Sequence, residues 1–341
     1  MTDSEITLPA PPTPSPQPEY GIFRGPNGIR AGWRALIFIV LAFAIGCLII
    51  SPLFLLHLAH TGSSAQNQHF GLSPVDVAIG ETLIFVSTAV AALIMASIER
   101  RKWSQYGLPW RFAFRKDFWI GTLVGFASIS VTLLAIFAFH GFRITGLATH
   151  GSALLSAAAA WSVAFIIVGL AEEFAFRGYL QYTLTTGMGF WPAALLLSIS
   201  FAAAHGHNPG ESWGGLLSII VFALVFCFVL QRRGNLWWAV GFHAGWDWGQ
   251  TFFYGVPDSG APAYHNFLSS TFSGPRWLSG GTVGPEASIF TPIVLIIVAL
   301  GVARVYRENL YRVENPNVPA SALGTVLQTA TTGSQPPSTG A

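Results

Sequence analysis

Residues 171–178 read AEEFAFRG and close a long apolar run. Two adjacent carboxylates and a guanidinium stand where a hydrocarbon-like stretch should have none. A charge at the centre of a membrane helix costs about 2.5–3.5 kcal/mol on insertion scales, so such residues face a bundle interior and often mark function. On a helix Glu173 and Arg177 are i and i+4, in the favourable order for pairing. Glu172 points about 100° away and is left for another task. The alternative is a helix ending at the interface, its three charges among headgroups. Phe174, Phe176, Tyr179 and Leu180, however, carry the apolar pattern through the charges.

The rest of the chain supports a membrane setting. Of 341 residues, 52% are hydrophobic and only 9% charged, with mean hydropathy +0.53. A soluble domain carries about 25% charged residues. A net charge of +2 is too small to suggest nucleic acid as a partner. Cys47 and Cys227 both fall in apolar spans and imply no extramembrane disulfide. The start, with Asp3 and Glu5 before PAPPTPSPQP, does not read as a signal peptide.

About eight spans are expected, near 34–57, 75–98, 118–139, 155–182, 190–206, 214–231, 235–252 and 287–304, since a bilayer core takes roughly 20 apolar residues per helix. The fourth is ambiguous because SALLSAAAAW is Ala-rich and could lie at the interface. Residues 1–30 and 313–341 read as disordered tails, the first Pro-rich, around a bundle of 31–312. Basic connections alternate with nearly neutral ones. Arg24, Arg30 and Arg34 precede the first span, and Arg100 to Lys116 follow the second. Arg232 and Arg233 follow the sixth, and Arg304 to Arg312 the last. The positive-inside rule then favours an even number of spans with both termini cytoplasmic. The expected fold is an all-α polytopic bundle in the cell membrane. Asp76 and Glu81, at the start of the second span, are read as interfacial.

Two further clusters accompany AEEFAFRG. In FAAAH, Phe201 to His205, the alanines let another helix approach closely. His205 could equally be an ordinary helix-end histidine. In HAGWD, His243 and Asp247 are i and i+4 on one face, and Gly241 and Gly245 again permit close packing. They could merely satisfy each other. Together the clusters offer Glu172, His205 and His243, the His₂Glu type of catalytic zinc. Asp247 would be a further ligand or an imidazole-orienting carboxylate. Without metal, Glu172 as general base with His205 could still activate a water.

The three patterns in this order resemble the CPBP family of intramembrane proteases, which includes the type II CAAX prenyl endopeptidases. That family shows EExxxR, then FxxxH, then HxxxN or HxxxD. Here they stand as EEFAFR at 172–177, FAAAH at 201–205 and HAGWD at 243–247, within a core of about 155–255. The resemblance implies an endopeptidase acting on peptides or membrane proteins at the bilayer. Glu172 would activate water with His205 as partner, and Glu173 with Arg177 would be a structural or substrate-positioning pair. His243 and Asp247 would bind metal or stabilise the oxyanion. Some relatives carry Asn at the position of Asp247, and an ionised Asp cannot donate to an oxyanion. Two readings of other classes are a proton-coupled transporter, which would use the same ionisable groups, and a non-catalytic scaffold of the same fold.

Overall fold

The computed structural model describes residues 21–25, 28–61, 73–262 and 264–313. The expected tails beyond 20 and 313 lie outside these residues. The described end of the N-terminal tail forms a small antiparallel hairpin, β1 (Arg24–Gly25) with β2 (Gly28–Ile29).

Helix α1 (Ala31–Thr61) runs beside α2 (Pro74–Glu99). Pro74 opens α2 where a missing N–H is harmless, and the Ser73 hydroxyl caps it by accepting from the Asp76 N–H at 3.1 Å. After α3 (Lys116–Ala138), strand β3 (Phe142–Leu147) pairs antiparallel with the distant β4 (Leu268–Phe272). The Ala-rich segment is helical from its start, within α4 (Ser152–Arg177). Gly178 interrupts the run, and α5 (Tyr179–Met188) resumes it. Helices α6 (Phe190–His205), α7 (Trp213–Arg233) and α8 (Trp237–Asp247) follow, and a π-helical stretch continues α8 over Trp248–Phe253. Short α9 (Arg276–Ser279) precedes α10 (Phe290–Val305).

Among the described residues, five stretches are long and apolar enough to cross a membrane: Ala31–Pro52, Pro74–Glu99, Lys116–Ala138, Ser152–Met188 and Trp213–Arg233. Leu36, Val40, Phe43, Ile79, Leu123, Leu195, Leu217 and Ile297 stay exposed on their helices. Such an apolar surface is the lipid-facing side of a bundle, not that of a water-soluble domain. The chain is a polytopic helical membrane protein. The other expected crossings are short. The 16 residues of α6 and of α10 reach about 24 Å.

Both described ends of the chain lie at one face. There Arg34 donates to Glu99 at 2.8 Å and to Thr186 at 2.6 Å, and Arg101 donates to Glu99 at 3.1 Å. Arg233 pairs with Asp117 at 2.8 Å, and the Leu310 N–H donates to the Gln231 carbonyl. The opposite face carries the β3–β4 sheet and the 206–212 and 254–289 connections.

One contact fixes the helix that bears HAGWD. Gly121 and Gly125 of α3 meet Gly241 and Gly245 of α8 backbone to backbone. A Cβ on Gly121 would strike the Trp238 carbonyl oxygen, and one on Gly125 that of Phe242. One on Gly241 would strike the oxygen of Phe118, and one on Gly245 that of Thr122. Two small-xxx-small stripes facing each other let the main chains approach as side chains could not. Gly169 of α4 brings a third backbone close, at Val240. The α8 side chains Trp238, Phe242 and Trp246 then fill a core with Phe226 and Leu295.

Candidate active site

The sequence clusters converge on one cavity of about 660 Å³. Helix α2 supplies Asp76 and Glu81, α4 Glu172, α6 His205, and α8 His243 and Asp247. The 206–212 and 254–289 connections add Asn208, Pro209, Asp258 and Glu286.

Glu173 and Arg177 lie behind this cavity. Both side chains are fully buried, so the headgroup alternative does not hold for them. Arg177 Nη1 reaches Glu173 Oε1 at 3.4 Å, and the guanidinium stacks on Phe201 at 4.4 Å from the ring centroid. The i, i+4 spacing foretells this pair. It does not foretell the second partner of Glu173, which is His243 Nδ1 on α8, at 3.1 Å. A carboxylate only accepts, so Nδ1 carries a proton and Nε2 faces the cavity. There Nε2 lies 3.6 Å from Glu172 Oε2 and 3.5 Å from Asp247 Oδ2. The order Arg177–Glu173–His243–Glu172 therefore links two helices through one imidazole.

His205 ends α6. Its Nδ1 lies 2.9 Å from the Phe201 carbonyl, which can only accept, and its ring packs on that of Phe201. Its Nε2 is thereby left for the cavity it lines.

The zinc reading of Glu172, His205 and His243 can be tested on this geometry. Zinc bonds of about 2.0–2.2 Å would draw such ligand atoms within about 3.5 Å of one another. Among the described residues, the group of potential ligands gathered within 4.8 Å is Asp247, Asp258 and Glu286. Glu172, His205 and His243 do not form such a group, so the His₂Glu set does not fit zinc as arranged.

Four cavity carboxylates, Asp76 among them, escaped the sequence reading of the site. Glu81 was placed at the interface, yet it lines the cavity, and its Oε2 is buried without a hydrogen-bond partner. Its electrostatic neighbours are Glu172 and His243. Asp258 accepts from Thr251 Oγ1 at 2.8 Å, and Glu286 accepts from the Ser259 N–H and Oγ at 3.2 and 3.1 Å. Carboxylate oxygens of these two and of Asp247 lie within 4.8 Å of one another. Burial, and then the neighbouring Asp258, push Glu286 well above the ordinary carboxylate value; burial likewise raises Asp258.

A membrane-embedded cavity lined by carboxylates and two histidines defines a class: a polar site for water-dependent chemistry inside a helical bundle. The family follows. Residues 153–249 match the family model described as type II CAAX prenyl endopeptidase Rce1-like, in agreement with the resemblance carried by EEFAFR, FAAAH and HAGWD. The family is one of CAAX prenyl endopeptidases. No curated protein matches the chain.

Proposed function

We propose that this protein is an intramembrane endopeptidase in which Glu172 activates the attacking water. The observation that carries the reading is the position of His243, locked by Glu173 on one nitrogen and aimed at Glu172 and Asp247 with the other.

The chemistry follows from these positions. Glu172 takes a proton from a water in the cavity, and the hydroxide oxygen bonds to the scissile carbonyl carbon. His243, doubly protonated among the carboxylates of Glu172, Glu173 and Asp247, donates from Nε2 to the forming oxyanion. Such a donor, fixed before reaction, acts strongly in a site that excludes bulk water. The carbon–nitrogen bond then breaks, and the proton held by Glu172 passes to the leaving amine. His205, with Nε2 free, holds the water or the amine from the α6 side. Asp247 acts as an orienting carboxylate of His243, which removes the need for it to donate. Arg177 and Glu173 are positioning residues.

The substrate is a peptide or membrane-protein segment that reaches the cavity from the bilayer or its surface. The test compares protein N-termini, by mass spectrometry, in membranes of cells expressing wild type or Glu172→Gln at equal levels. New N-termini confined to wild type are expected. Identical profiles across several host proteomes would sink the protease reading in favour of a scaffold or transporter.

A further inference from the structure

The bundle has two unlike faces. All seventeen Lys and Arg belong to described residues. Arg177 is buried inside the bundle, and Arg143 and Arg276 flank the face that carries the β3–β4 sheet. The remainder belong to the other face, where Arg34, Arg101, Arg232 and Arg233 make the contacts described above. An asymmetry of this size sets which face stays in the cytoplasm.

The cavity is not neutral with respect to this axis. Its helical walls come from the bundle, but its remaining walls come from two connections. Asn208 and Pro209 belong to the link between α6 and α7. Asp258, Ser259, Ala261 and Glu286 belong to the long link between α8 and α10. Both connections lie on the face poor in Lys and Arg. No described residue of the basic 100–115 segment, nor of the 234–236 turn, lines the cavity. On the basic side the bundle is closed below the site. Phe174 packs there on Phe85 and Trp103, while Tyr106 packs on Tyr179 and Tyr182.

We infer that the cavity opens on the extracytoplasmic face, so that the segments cut are extracytoplasmic ones: secreted peptides or the outer juxtamembrane stretches of membrane proteins. The choice of substrate rests on the protease reading; the sidedness does not. A prenylated cysteine near the C-terminus of a cytoplasmic protein would meet the closed, basic face instead. The substrate class of this chain then differs from the one that its family's description names.

Single cysteines test the sidedness in a full-length Cys47→Ser, Cys227→Ser background. Asn208→Cys and Ala261→Cys report the cavity mouth, and Arg111→Cys, on an exposed residue of the basic side, is the control. In intact cells a membrane-impermeant maleimide should label the first two at least tenfold more than the third. Lysis should equalise them. Labelling of Arg111→Cys alone in intact cells would overturn the inference. If a cysteine variant fails to accumulate, a green fluorescent protein fused to the C-terminus of the full chain decides the same point. Fluorescence is expected, and its absence with an active periplasmic phosphatase fusion would overturn the inference. The proteomic comparison of wild type with Glu172→Gln then separates the two claims. Glu172-dependent N-termini in extracytoplasmic segments are expected. If they fall in cytoplasmic segments, the inference fails and the protease stands. If none arises, the protease reading fails, and the substrate class with it, while the labelling still decides the sidedness.

Discussion

His243 Nδ1 on α8 lies 3.1 Å from Glu173 Oε1 on α4, and the same carboxylate oxygen faces Arg177 at 3.4 Å. One buried carboxylate thus ties the imidazole to a guanidinium, and removing either partner leaves a charge uncompensated.

This relationship separates Glu173 from Glu172. Glu173→Gln should leave Glu172 in place while freeing the ring of His243, lowering kcat by about 10²–10⁴ with little change in KM, as for a group that acts on proton transfer through its neighbour. Glu172→Gln should abolish turnover without reducing stability. Kinetics on a substrate identified by its new N-terminus distinguish the two. Equal and complete losses, with equal thermal stability, would remove the distinction.

Arg177→Met should destabilise the fold by about 3–5 kcal/mol, because Glu173 is then a buried charge with one cation fewer. The measurement is thermal unfolding in detergent. Arg177→Met with Glu173→Gln should recover part of the loss in stability but none of the activity.

Close backbone packing gives a steric prediction. Gly125→Ala and Gly245→Ala must push α3 and α8 apart, destabilising by about 1–3 kcal/mol and moving His243 away from Glu172. Gly301→Ala, with nothing within 4 Å of the added methyl, should be neutral or slightly stabilising. Melting temperatures and turnover, measured on the same preparations, check both.

The acid pair at the cavity mouth makes stability depend on pH. The folded protein raises Glu286 above its ordinary value of 4.5. Its contribution is therefore fully present below about pH 4.5 and is lost as pH rises through the raised, folded value. Relative to wild type, Glu286→Gln should show a flatter fall of melting temperature between acidic and neutral pH. A wild-type profile parallel to that of the variant would contradict the upward shift of Glu286.

Charge on the substrate should matter as well. Asp76, Glu81, Glu172, Asp247, Asp258 and Glu286 line the cavity, and no Lys or Arg does among the described residues. Apart from the His243 imidazolium, the ionisable groups there are mainly acids, and the net field of those that ionise favours a cation in the ligand. Peptides with Lys beside the cleaved bond should give a kcat/KM about tenfold higher than those with Asp, and Asp76→Asn should narrow the ratio.

Much of the site was legible because its clusters are local. Glu173 with Arg177 and His243 with Asp247 are one helical turn apart, and their faces follow from 3.6 residues per turn. What joins the clusters was not legible. The Glu173–His243 contact spans 70 residues. It depends on how closely α4 approaches α8, a distance set by Gly169 and by a glycine stripe on α3 that carries no chemistry. Half of that packing was visible in Gly241 and Gly245; its counterpart, Gly121 and Gly125, lies in the expected span 118–139, which has no charged residue to draw notice. Glu81 was misplaced for a related reason. Counting residues from the start of a span gives depth only for an upright helix beside a flat interface. Here two connections fold in over the bundle, so a residue seven positions into α2 faces the site. Asp258 and Glu286 sit in Gly- and Pro-rich loops, where no periodicity says which way a side chain turns.

The glycine contact between α3 and α8 also bears on how such a protein can change over time. Main chain touches main chain there, so the location of His243 is recorded in the absence of side chains and not in the identity of any. The outward surfaces of α3, where Leu123, Val131 and Leu134 meet lipid, are thereby released from any part in holding the chemistry. They can drift with the thickness and composition of the host membrane. The four glycines cannot, and a lineage that alters one must move a helix to keep its histidine.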